Sequence, residues 1–545
     1  MKKTVILMIV VMVAAVTMSA QVTLERGGTR AWIEVNGKPM LVLGGELSNS
    51  AATSIEDIDN VIPRMAELGL NTVLVPAQWD LIEPEEGKYD FSTIDETIIK
   101  ARENGLKVIF LWFGAWKNSM SCYAPLWFKK DVKRFPRAMT RNGKPLEIAS
   151  VFSENVFEAD NRVFAELMRH IKAVDSSDNT VIMVQVENEI GMLEDARDYS
   201  PLAEKEFQNG EWRKKVLGKK FKHLPADADM DEVFMAYYYA KYVDRLAQTA
   251  RSIYNIPLYV NAAMNSRGRK PGEYPSAGPL AHLADIWHLA APHIDILAPD
   301  IYDTGFKGWA GQYDMGKENP LFIPESRCCS NSGVRALYVF GAHEAVGFSP
   351  FAIDQSSSED TEQVSKAYGI LHKLSSLLLQ KRGKENSVYG VLVTKDDKET
   401  VLYDGDIALT CAHYLTLPWD ARCSSDEWRE GGAVIVKLSE NDYLVAGSGI
   451  VVTFQTLSEK KQMENKKLGE DGFAEAGTDK AKVSEPVRSF KGKRIGIGTV
   501  DEIDINKDGL PVFIRRLNGD QTHQGRHVRI SVDDYQILRV RLYEY

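Results

Sequence analysis

The sequence predicts an α/β chain, a (β/α)8 TIM barrel followed by a C-terminal all-β sandwich. Three observations lead there. Between residue 39 and about residue 375, short apolar runs of strand type alternate with longer segments of helical period, the pattern of parallel βαβ units. The strand-type runs number eight and end in a terminal helix at 361–380, which suits a closed barrel. After residue 380 the texture shifts to brief alternating segments joined by polar turns, which reads as a sandwich of roughly 160 residues.

The eight predicted strands are PMLVLGGEL (39–47), NTVLVPAQW (71–79), KVIFLWFG (107–114), TVIMVQVENE (180–189), PLYVNAAM (257–264), IDILAPDIY (294–302), PLFIPES (320–326) and VGFSPFAID (346–354). A doubly wound sheet also holds many strands, but no glycine-rich phosphate loop follows the first strand, which argues against a nucleotide fold. Amphipathic helices fall between the strands. SIEDIDNVIPRMAELG (54–69) has Ser54 placed as N-cap and Gly69 as stop. Others are expected over 91–105 and 161–174, with a helical excursion beside the barrel mouth over 191–256. In the sandwich the strand signals are 387–405, 432–455 and 535–545, and the charged stretch 458–482 reads as a mobile loop. The expected organisation is therefore a signal peptide at 1–20, the barrel at 21–380 and the sandwich at 381–545.

Composition narrows the function. Apolar residues at 44% and charged residues at 26% describe a soluble globular chain. The 76 carboxylates against 66 Lys and Arg give a net charge of −10, which disfavours nucleic acid or an anionic membrane as ligand and leaves a neutral substrate. The opening MKKTVILMIVVMVAAVTMSA has two lysines, an apolar core and small residues at Ser19 and Ala20, the pattern of a cleaved export signal. Its apolar run is shorter than the ~20 residues of a membrane span. The expected location is periplasmic or extracellular, with no membrane insertion after signal removal.

Cys122, Cys328, Cys329, Cys411 and Cys423 lack the C-x-x-C spacing of zinc sites, so neither metal nor cofactor is expected. Export leaves a Cys411–Cys423 disulfide open. DINKDG (504–509) begins like a calcium loop, but Arg515 occupies the twelfth position where such a loop needs a bidentate glutamate, so a plain turn is expected.

The chemistry sits at strand ends. Side chains at the C-terminal ends of barrel strands converge on one mouth, and Glu189 and Glu325 close the fourth and seventh strands. Two carboxylates facing each other there can flank a glycosidic bond, one protonating the leaving oxygen and the other attacking the anomeric carbon. Strand-end glutamates also cap helices or pair with arginines, and Arg327 lies two residues beyond Glu325. Strict alternation puts Glu187 and Glu189 on one face and Asn188 on the other, so Asn188 and Glu189 share the pocket only if the strand leaves regular geometry. Glu187 is expected deeper, in a polar network with Gln185, and is the rival of Glu189.

The stretches GLNTVLVPAQWDLIEPEEGKYDFSTID (69–95), VQVENEIG (184–191) and FIPES (322–326) resemble family 35 glycoside hydrolases, β-galactosidases of the large clan of retaining barrel glycosidases. YLVAGSGIVVTF and RRLNGDQTHQGRHVRI are similar to the β-domain attached to a bacterial branch of that family. The resemblance implies Glu189 as acid/base, Asn188 as the ligand of the hydroxyl beside the anomeric carbon, and Glu325 as nucleophile. It also implies that Tyr302, at the end of strand six, hydrogen-bonds Glu325.

Sugars present apolar faces and hydroxyl edges, so Trp79, Trp112, Trp116 and Trp127 are candidates for stacking. Glu46, Asn49, Asn118 and Asn261 are candidates for gripping hydroxyls. The segments after strands one and three, GGELSNS and FGAWKNSMS, depart from the His-Tyr and Cys-Ala-Glu-Trp runs of better-known members, which bears on sugar selection more than on bond cleavage. The function expected is a retaining, exo-acting β-galactosidase with a carbohydrate substrate. The alternatives are the same chemistry on an arabinopyranoside or fucoside, and an inactive barrel that only binds glycans. The oligomeric state is left open.

Overall fold

The computed structural model describes residues 21–265, 267–463, 492–506 and 509–545. The barrel strands are Val42–Glu46, Thr72–Gln78, Lys107–Phe113, Val181–Gln185, Leu258–Ala262, Ile296–Ile301, the seventh as Phe322–Ile323 with Glu325–Ser326, and Gly347–Phe348. All pair in parallel, in chain order. The seventh strand closes the ring by changing neighbours midway. Phe322 and Ile323 pair with the eighth strand, whereas Glu325 and Ser326 pair with the sixth. Pro324 lies between the halves and has no N–H to give either neighbour, so the switch falls where a ladder bond is missing anyway.

Strands run as near-continuous buried apolar segments because helices cover the sheet's outer face. Ser54 caps the first helix, Ile55–Glu67, accepting from the Asp57 N–H at 3.1 Å, and Gly69 ends it at φ +82°, a left-handed turn that glycine adopts without a Cβ penalty. The helix expected from 161 begins earlier, spanning Glu154–Asp175, because Ser153 caps it. Of the excursion 191–256, Met230–Ile253 is the barrel's own helix, packed on Glu154–Asp175, and only Pro201–Asn209 and Trp212–Lys215 are extra.

Two elements go beyond the sequence reading. A three-stranded sheet, Val22–Gly27, Arg30–Val35 and Lys38–Met40, closes the barrel end opposite the mouth, with Arg30 paired to Asp314 at 2.8 Å. The predicted strand 39–47 is thus two strands. A hairpin, Arg137–Met139 with Pro145–Ala149, stands between the third strand and its helix.

The C-terminal region is a sandwich of a six-stranded and a four-stranded antiparallel sheet. Alternation sorts the residues of the six-stranded sheet cleanly. Val391, Val393, Ala433, Ile435, Tyr443 and Val445 face the four-stranded sheet. Their neighbours Leu392, Val434, Val436, Leu444 and Ala446 join the barrel core instead, against helices Ser332–Ala342 and Ser358–Lys381. One sheet therefore serves two cores, one on each face.

The signal-like residues 1–20 lie outside the described residues. The expected loop 458–482 begins instead within the helix Leu457–Met463, and the rest of it lies outside the described residues. All five cysteines are free. In the calcium-like stretch, Asp504 is held by Lys373 at 2.6 Å, and Asp508 lies outside the described residues. Among the described residues no helix is long and apolar enough to cross a membrane.

Candidate active site

The fourth strand stops at Gln185, four residues short of its predicted end. Glu187 and Glu189 then take left-handed backbone angles, φ +61° and +46°. Such angles cost a non-glycine residue about 1–3 kcal/mol each, and the local hydrogen bonds show what holds them. The Glu189 N–H donates to Asn261 Oδ1 at 2.9 Å, the Asn188 N–H to the Trp116 carbonyl at 3.3 Å, and the Trp116 N–H to Glu187 Oε2 at 2.8 Å. The departure from strand geometry turns Asn188 and Glu189 to one cavity and Glu187 away from it.

Glu189, Asp300 and Glu325 meet at the mouth, one carboxylate oxygen of each lying within 4.8 Å of the others. Glu189 and Glu325 are 5% and 4% exposed. Around Glu325, Tyr302 donates to Oε2 at 2.7 Å, and the amides of Asn188 and Asn261 donate to Oε1 at 3.5 and 3.4 Å. Asn261 also donates to Asp300 Oδ2 at 2.8 Å. Asn118 donates to Glu189 Oε2. Asn261 thus ties the acid-bearing loop to the opposite carboxylate through a single side chain.

Electrostatics separate these acids. Burial, and next the Glu325 charge, push the Glu189 carboxyl up to about 7, with Lys117 opposing. Burial and the charges of Glu325, Glu189 and Glu46 hold Asp300 well above the carboxylate range, and burial and Glu325 do the same to Glu46. These three therefore favour the neutral form beside Glu325. Burial and the Glu325 charge also raise the Tyr302 phenol, keeping it a hydrogen-bond donor. Lys117 loses hydration by burial, and the surrounding carboxylates more than offset that, keeping it an ammonium.

Several expected roles change. Glu187 is buried with Asp160 and Trp116, not with Gln185, whose side-chain atoms meet no partner. Trp79 and Trp116 are fully buried: Trp79 donates to Glu83 Oε2 at 2.9 Å within a Trp112–Trp127–Phe128 cluster, and Trp116 packs edge-on to Tyr239 and Tyr242. Neither ring offers a face to a sugar, because each is needed to fill the space behind the mouth. Trp112 is likewise buried, donating to Asp160 Oδ1 at 3.0 Å, and Trp127 donates to the Glu83 carbonyl. Glu46 has both carboxylate oxygens sealed from solvent and lies beside Glu325 as a neighbour in the barrel wall. Asn49 borders the first-strand loop, its carbonyl accepting from Gln78 at 2.6 Å.

Two residues were missed. Asp300 sits two positions before Tyr302, and strand alternation alone places both on one face. Lys117 lies between Trp116 and Asn118, inside a segment already singled out, but a lysine after a strand carries no signal of burial.

A family model described as Beta-galactosidase, glycoside hydrolase family 42, matches residues 50–236, and a second, a domain of unknown function (DUF5597), matches 364–529. The matching model is thus that of family 42 and not of family 35, which the motifs resemble. Beta-galactosidase-1-like protein 3 of Mus musculus is 27% identical over 171 residues, 31% of this chain and 25% of its own length. The chain spans about a quarter of the length of the curated relatives it matches. Among solved structures, the cold-adapted β-galactosidase from Rahnella sp. R3 aligns with a TM-score of 0.47 at 16% identity, covering 63% of this chain and 57% of that one. A catalytic mutant of Gan42B, a GH42 β-galactosidase from G. stearothermophilus, aligns with a TM-score of 0.48 at 16% identity, covering 62% and 57%.

Proposed function

We propose that this protein is a retaining, exo-acting β-galactosidase that releases terminal β-linked galactose from oligosaccharides or polysaccharide side chains. The observation that carries the reading is the pair Glu189 and Glu325, buried at one barrel mouth with oxygens within 4.8 Å and held in unequal surroundings. Retaining glycosidases keep their two carboxyl groups about 5–5.5 Å apart, whereas inverting ones leave room for a water at ~6.5–9.5 Å. The match of residues 50–236 to a β-galactosidase family model supports the choice of sugar.

In the first step Glu325 Oε attacks the anomeric carbon while Glu189 gives its proton to the leaving oxygen, so the glycosidic bond breaks as an ester to Glu325 forms. In the second, Glu189, now ionised, takes a proton from water as that water attacks the anomeric carbon, and Glu325 leaves as carboxylate. Asn188 holds the neighbouring hydroxyl, and Tyr302 and Asn261 fix the nucleophile. The first 20 residues act as an export signal, and the mature chain works in the periplasm or outside the cell.

The test is proton NMR of wild type acting on 4-nitrophenyl β-galactoside. Release of β-galactose first, later mutarotating, is expected. Release of α-galactose, or cleavage only of other aryl β-glycosides, refutes the mechanism or the sugar respectively. Amino-terminal sequencing of the exported chain tests the signal, with Gln21 expected first.

A further inference from the structure

The loop after the third barrel strand carries a cation that the acid pair and the tyrosine leave without a task. Lys117 is only 3% exposed, yet among the described residues its ammonium makes no hydrogen bond and no ion pair. Unlike both oxygens of Glu46, its Nζ is not sealed from solvent. The ammonium lies over an aromatic face, Nζ 4.8 Å from the Phe113 ring centroid, a contact that uses none of its N–H donors in a hydrogen bond, and the Lys117 backbone N–H donates to the Met120 carbonyl at 2.8 Å. A bridge joins Lys117 to Asn188, and Asn118 and Ser119 follow at φ +52° and +57°, a tight turn that sets Lys117 beside the Glu189 loop.

The charges of Glu325, Glu189, Glu46 and Asp300 act on this ammonium, and none of the four forms an ion pair with it. A buried ammonium has three donors, and leaving them unmade is costly. Solvent reaches Nζ and accepts from it in the free protein, so a ligand that fills the mouth and displaces that water has to accept in its place. A sugar acid would add a further anion to four carboxyls that already suppress one another's ionisation, whereas a hydroxyl accepts from Nζ and adds no charge.

We propose that Lys117 is a specificity-determining residue, donating hydrogen bonds to ring hydroxyls of the neutral sugar held between Glu189 and Glu325. This rests on reading that pair as a glycosidase centre. Charge-assisted bonds of this kind change affinity about 10- to 100-fold. Lys117 has no counterpart among the residues expected from sequence to touch substrate.

The test is calorimetric binding of galactose, its 2-, 3-, 4- and 6-deoxy forms and galacturonate to wild type, Lys117→Met and Lys117→Gln, with thermal melts of each. Hydrolysis of 4-nitrophenyl β-galactoside by wild type is measured in parallel. Wild type is expected to bind one deoxygalactose about 10- to 100-fold more weakly than galactose, and Lys117→Met to lose galactose affinity by a similar factor and to bind that deoxy sugar and galactose alike. Should Lys117→Met not fold, Lys117→Gln is read instead: it keeps donors but not the charge, and is expected to lose part of the galactose affinity and of the discrimination. A folded variant that discriminates as wild type does overturns the proposal, and so does Lys117-dependent binding of galacturonate in preference to galactose. Wild type that binds in this Lys117-dependent way but cleaves no aryl glycoside refutes the hydrolase reading and leaves Lys117 in place. Wild type that neither binds nor cleaves overturns both.

Discussion

The Tyr302 hydroxyl donates to Oε2 of Glu325 at 2.7 Å, a contact between the ends of the sixth and seventh strands. Burial and the Glu325 charge hold the phenol protonated, so it stays a donor. In the proposed mechanism this bond orients the attacking oxygen. Tyr302→Phe should therefore lower kcat about 10- to 100-fold with little change in the melting temperature. Steady-state kinetics with an aryl galactoside checks this, and an unchanged kcat would remove Tyr302 from the mechanism.

The proposed mechanism requires Glu189 to be protonated when it acts on the leaving group. Its carboxyl is pushed up to about 7, so the protonated fraction, and with it kcat/KM, falls as pH rises through that region. The limb belongs to the coupled group of acids rather than to one site in isolation. Glu189→Gln should abolish this basic limb and slow substrates with poor leaving groups most. A pH–rate profile of wild type and variant on 4-nitrophenyl and alkyl galactosides reads both effects.

Glu187 and Glu189 are two residues apart, and the structure gives them different neighbours. Glu187→Gln should keep kcat/KM within a few-fold of wild type, because its carboxyl faces Asp160 and the Trp116 N–H. It should instead lower the melting temperature, since the buried network loses a member, at about 1–3 kcal/mol. A loss of activity as deep as that of Glu189→Gln would contradict the assignment.

The seam between barrel and sandwich depends on close backbone approach. A Cβ on Gly390 would lie 2.3 Å from the Ala342 nitrogen and 2.4 Å from the Tyr338 carbonyl oxygen. Gly390→Ala should therefore force strand Val388–Val393 off helix Ser332–Ala342 and destabilise the chain by about 3 kcal/mol. Thermal unfolding checks this. An unaltered melting temperature would mean that the seam yields freely.

Much of this was legible in the sequence. The barrel was readable because its strands are buried on both faces and so write continuous apolar runs, and the convergence of Glu189 and Glu325 follows from strand order alone. What eluded reading had physical causes. The fourth strand ends earlier than its sequence suggests, since apolar residues continue to Val186 while the backbone turn at Glu187 has no glycine to announce it. Trp79 and Trp116 read as sugar platforms because tryptophan is equally suited to a core, and only packing distinguishes the two. Lys117 gives no sign of its burial in the sequence, because the four carboxyls whose charges act on it come from four other strand ends. Asp160, the partner of Glu187, lies on a helix whose pattern marks it only as one more polar residue.

The most direct measurement is mass spectrometry of the protein after exposure to 2-deoxy-2-fluorogalactosyl fluoride, followed by peptide mapping. A sugar ester on Glu325 is the predicted result. An ester on Glu187 or Glu189, or none in a preparation that cleaves aryl galactosides, would contradict the account.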